Sequence, residues 1–127
     1  MLSVRKASAV LCSTDLARSQ EFYEQKVGLT LSPETIPNHL LFDGGDGSSL
    51  LVYGRPSENK GDHTQVRFWS NDVEADVASL LARGVVFEDY DFPGLKTVDH
   101  VCVLGSEKAA WFKDTEGNYL CLHEDIA

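Results

Sequence analysis

The chain has 127 residues, the size of one ordinary domain, with 43% hydrophobic and 24% charged side chains. No stretch approaches the roughly 20 apolar residues of a membrane span, and the opening "MLSVRKASAV" carries a basic pair with no long apolar core behind it, unlike a signal peptide. The formal charge of −9 repels phosphate backbones, so nucleic acid is not expected as partner; without an apolar span no membrane is expected either, and the expected location is the cytoplasm. Cys12, Cys102 and Cys121 lack CxxC spacing, which argues against a disulfide framework and a zinc ribbon.

The first alternating run, "ASAVLC", predicts a strand with Ala7, Ala9 and Leu11 on one face and Ser8, Val10 and Cys12 on the other. "STDLARSQEFYEQKVGL" predicts a helix over 14–27, capped by Ser13, Thr14 or Asp15 and stopped at Gly28. "FDGGDGSSLLVYG" reads as a strand, a glycine hairpin and a strand; with no helix or lysine after it, "DGGDG" is not a phosphate cradle. "TQVRFW" sets Val66 and Phe68 against Gln65, Arg67 and Trp69. "SNDVEADVASLLARGV" predicts a second helix over 71–83, capped by Asn71 or Asp72 and closed by Gly84. In "YDFPGLKTVDH", Tyr90 and Phe92 stand beside a Pro-Gly turn, as a flap over a mouth or a hydrophobic corner. The last hairpin, "WFKDTEGNYLCLHE", ends in a strand with Leu120 and Leu122 on one face and Tyr119, Cys121 and His123 on the other.

The two helix signals start 57 residues apart, each after a strand and before strand-like pieces ending in a hairpin. The chain is therefore an internal repeat, one 1–127 domain of two modules at about 1–56 and 62–127. The arrangement resembles the vicinal oxygen chelate superfamily, which includes glyoxalase I, extradiol dioxygenases, fosfomycin-resistance enzymes and bleomycin-resistance proteins. The resemblance rests on "TDLARSQEFYEQKVGL", on "NDVEADVASLLARGVVF" and on "AAWFKDTEGNYLCL", where Thr115 replaces the usual proline. It implies an α+β fold of two βαβββ modules, each curling a mixed sheet into a cup with its helix outside.

The metal-dependent members bind their ion through one side chain on each of four strands. Carried onto this chain, those positions are Ser8, Leu50, Gln65 and Cys121. Leucine cannot ligate, serine is a poor neutral ligand, and a catalytic divalent ion needs about three protein ligands. His63 and His123 are displaced along their strands from these slots, and His39 and His100 have no ligand partner at useful spacing. No metal and no cofactor are expected.

What is left is a cavity with apolar and aromatic walls and a few polar groups, the makeup of a small-molecule site. "SLLVY" is apolar on both faces, and the resemblance places Leu50 and Val52 inward. The expected ligand-binding set is Ser8, Val10, Leu50, Val52, Gln65, Arg67, Trp69, Tyr90, Phe92, Trp111, Tyr119, Cys121 and His123. Trp69 and Trp111 are equally readable as core, and Cys121 as a small buried hydrophobe. Two functions follow. One is non-enzymatic sequestration of an aromatic or polycyclic toxic natural product, as in bleomycin-resistance proteins, which implies a homodimer. The other is a metal-dependent lyase, isomerase or dioxygenase of the glyoxalase type with an atypical site.

Overall fold

The computed structural model describes residues 1–57 and 61–126, which fall into two compact units, Met1–Lys60 and Gly61–Ala127. In the first unit, β1 (Ala9–Ser13) leads into α1 (Leu16–Glu21), which widens into a π-helical stretch over Phe22–Val27. The Tyr23 carbonyl accepts from both Gly28 and Leu29, and Gly28 at φ 86° ends the helix in the left-handed region that glycine enters freely. Strands β2 (Thr30–Leu31), β3 (His39–Asp43) and β4 (Ser49–Gly54) follow, giving the sheet order β1-β4-β3-β2. Only β1 and β4 run parallel in that sheet.

The second unit repeats this plan. Strand β5 (Thr64–Trp69), α2 (Val73–Ala82), β6 (Phe87–Glu88), β10 (Glu107–Lys113) and β11 (Tyr119–Asp125) give the order β5-β11-β10-β6. Between β6 and β10 lie a small hairpin of β7 (Asp91–Phe92) and β8 (Leu95–Lys96), then β9 (Cys102–Leu104), which pairs with β10. Two helices on mixed sheets make this an α+β protein, as expected from the sequence.

Strand pleat and helix position divide each sheet into a helix side and an open side. In the first unit Tyr23, on the helix, meets Phe42 ring to ring at 5.5 Å, and Leu11, Leu40, Leu50 and Val52 are buried with Phe42. In the second, Val66, Leu120, Leu122, Ala110 and Phe112 share the side covered by α2, with Leu120 and Phe112 fully buried. Leu120 and Leu122 are buried on the helix side as expected; since Cys121 and His123 are buried too, it is the pairing of Leu120 with Val66 and Phe112 that fixes the side.

One placement is corrected. Leu50 and Val52 lie beside Ala9 and Leu11 in the parallel pairing, so they face the helix, 4% and 1% exposed. The open side of β4 carries Leu51 and Tyr53 instead. A strand apolar on both faces gives the hydrophobic pattern nothing to choose between, and helix packing decides.

Candidate functional site

The open side of the second sheet brings together Arg67 and Trp69 from β5, Cys121 and His123 from β11, and Trp111 and Lys113 from β10. Trp69 is 65% exposed, a large apolar surface left in water. The Arg67 guanidinium lies over its ring at 4.3 Å from the centroid, a cation–π contact. The His123 ring meets Trp69 nearly edge-on at 5.3 Å.

His123 itself is buried and clamped. Its Nδ1 lies 2.6 Å from Glu107 and its Nε2 2.7 Å from Asp125. Both ring nitrogens are turned to carboxylates, so neither faces an open position where a metal ion could be ligated. Glu107 and Asp125 were not expected from the sequence. Counting back from the hairpin turn at Gly117 would have found them: the register pairs Glu107 with Asp125 and Ala109 with His123.

A second aromatic group occupies the other end of the same side. Tyr90 meets Trp111 at 5.5 Å and Phe92 at 5.9 Å, both nearly edge-on, and Lys113 stands 4.8 Å from the Tyr119 ring centre while pairing with Glu88 at 3.1 Å. Trp111 is half-buried, and its Nε1 donates to the Thr64 hydroxyl at 3.2 Å. The 90–97 segment is a hairpin rather than a free flap, because Thr97 donates to the Tyr90 carbonyl and its hydroxyl accepts from the Tyr90 N–H. Burial, then the neighbouring Glu88, push the Tyr90 phenol above its usual range.

The four carried-over metal positions do not make a donor set. Ser8 is exposed ahead of β1, and Leu50 faces the helix. Gln65 is the extra residue of a β-bulge, where the register slips between Tyr119 and Leu120. Its Oε1 accepts from the Tyr119 N–H and its Nε2 donates to the Gly61 carbonyl, so both ends of the amide are held by backbone. No sequence signal marks this bulge. Burial first, and then Glu107, push the Cys121 thiol up to about 11, which leaves it protonated at neutral pH. A buried thiol that stays protonated at neutral pH is not an activated nucleophile.

The remaining expected residues lie elsewhere. Val10, 53% exposed, is on the open side of the first unit. His63 is exposed, His39 lies against Tyr53, and His100 pairs with Asp89 at 2.9 Å. A cavity of about 460 Å³ lies in the first unit, lined by Ser13, Asn38, Gly54, Arg55 and neighbours, and shares no residue with the aromatic side of the second. Asp72, Glu74 and Glu124 converge at the start of α2, where they serve the helix: Asp72 accepts from Ala75, Glu124 from Val73, and Glu74 pairs with Lys108.

No family model matches the sequence, and no curated protein matches it. Solved structures do match. A glyoxalase/bleomycin resistance protein/dioxygenase from Alicyclobacillus acidocaldarius superposes with TM-score 0.71 at 16% identity, over 98% of this chain and 93% of that one. TnmS3, an antibiotic binding protein from Streptomyces sp. CB03234, gives TM-score 0.65 at 22% identity, over 96% and 98%. A lactoylglutathione lyase from Agrobacterium tumefaciens gives 0.68 at 17%, over 95% and 93%. A binding protein and a lyase share this backbone, so the fold does not choose between them. The chain thus has the fold of these glyoxalase/bleomycin resistance/dioxygenase structures.

Proposed function

We propose that the protein binds a small aromatic or polycyclic molecule without transforming it, and that sequestration of a toxic natural product is its role. The observation that carries this reading is Trp69, an exposed indole with the Arg67 guanidinium over its ring and the clamped His123 meeting it nearly edge-on. An aromatic whose position is fixed before binding loses little entropy when a flat ligand stacks on it. Trp111, Tyr119, Tyr90 and Phe92 extend the apolar surface along the same side, and the likeness to an antibiotic binding protein supports the reading. A homodimer, as the resemblance implies, and a cytoplasmic location, as the cysteine pattern suggests, go with this proposal.

The glyoxalase-type alternative is not favoured. It needs about three donors, and with Leu50 on the helix side, the Gln65 amide held by backbone and His123 held by two carboxylates, the buried Cys121 is left without co-ligands. The test is a fluorescence-quenching titration against a panel of aromatic antibiotics and aliphatic antibiotics of similar size, read through the two tryptophans. Saturable quenching by planar members alone is expected. No saturable change with any member would contradict the reading.

A further inference from the structure

Three carboxylates at the aromatic side of the second sheet already have partners. Glu107 and Asp125 are both turned onto His123, and Glu88 pairs with Lys113. Arg67 is different. Among the described residues its guanidinium makes no ion pair; it lies flat on Trp69 and is exposed. Stacking uses the face of a guanidinium and leaves its edge, with its fork of N–H donors, directed outward. That fork matches the two oxygens of a carboxylate.

From this we infer that the ligand is a planar aromatic acid. Its ring lies against the Trp69–Arg67 shelf and its carboxylate, or an equivalent pair of anionic oxygens, takes the Arg67 edge. The inference rests on the proposed binding function and names the ligand class for the same site. The protein's charge of −9 gives it a sharp test: the overall field repels anions, so any preference for the charged ligand has to arise locally.

The experiment compares 2-naphthoate with 2-naphthamide, which share a ring system and differ in charge, by ligand-observed NMR titration at fixed ionic strength. Because the contact is solvent-exposed, naphthoate is expected to bind the wild type about threefold more tightly, or better. In Arg67→Gln naphthoate should lose more affinity than naphthamide, so that the two become equal, whereas Arg55→Gln, at an exposed arginine of the first unit, should keep the preference. Equal affinities in the wild type, a preference for the amide, or a naphthoate preference that survives Arg67→Gln would overturn the inference while leaving aromatic binding intact. Failure of both probes to bind would remove the binding function and this inference together.

Discussion

The two units are built on one frame with different surfaces. In each, a serine at the end of the first strand accepts from the backbone of an aspartate two residues on: Ser13 from Asp15 and Ser70 from Asp72. Each aspartate then caps its helix, Asp15 through Arg18 N–H and Asp72 through Ala75 N–H. A polar residue one turn into the helix bonds back to the serine, Ser19 to Ser13 and Asp76 to Ser70. The hairpins match too, with Gly44 N–H donating to Ser48 and Asp114 N–H to Asn118. The open sides diverge: Val10, Leu41, Leu51 and Tyr53 in the first unit, against Arg67, Trp69, Trp111 and the clamped His123 in the second. A duplicated frame keeps what folding needs and leaves the open side free to take on binding chemistry.

The largest effect is expected where the two hairpins solve one problem differently. Asp114 accepts from the Glu116 and Asn118 backbones and from the Asn118 amide, all buried, while Gly44 has no side chain to offer. Asp114→Gly should lower stability by about 3 kcal/mol in urea unfolding, and Gly44→Ala by about 1 kcal/mol or less. Equal losses would mean that the second hairpin does not depend on its aspartate.

The next effect sharpens the contrast at Cys121. Its folded-state value, raised to about 11, lies above that of an unfolded thiol, so folding favours the protonated form. The associated stability is complete below about pH 8.5 and is lost as pH climbs toward 11. Wild type should therefore lose about 2 kcal/mol more than Cys121→Ala between pH 8.5 and 11, from chemical denaturation at each pH. A parallel pH dependence in the two proteins would show the thiol to be less buried than it is here.

Smaller still are the caps. Asp15→Ala and Asp72→Ala should each cost about 1 kcal/mol. Costs that differ by more than about that amount would break the equivalence of the frames. Smallest of all, chelator should leave the melting temperature unchanged; a drop that added metal restores would point to a site contributing binding energy to the folded state.

Much of the frame was legible in the sequence because caps, glycine stops and period-two strands leave local marks. Leu120 and Leu122, Val66, and the pair Arg67 and Trp69 fell on the expected sides. Leu50 and Val52 did not, because "SLLVY" is apolar on both faces and only packing against α1 separates them. Gln65 was unreadable for another reason: a bulge is a relation between two strands, and one strand's pattern does not contain it. The His123 clamp needed the hairpin register, which the turn residues do fix.

The most direct measurement compares Trp69→Ala with Tyr53→Ala, by calorimetric titration of the tightest aromatic ligand from the quenching panel. Both side chains belong to open sides, one in each unit, and far-UV circular dichroism confirms that each variant is folded. Trp69→Ala should weaken binding more than about tenfold, or about 1.4 kcal/mol, with Cys121→Ser within about twofold of wild type. Tyr53→Ala should also stay within about twofold. A folded Trp69→Ala that binds as tightly as wild type, or a larger loss from Cys121→Ser, would contradict a binding surface centred on Trp69.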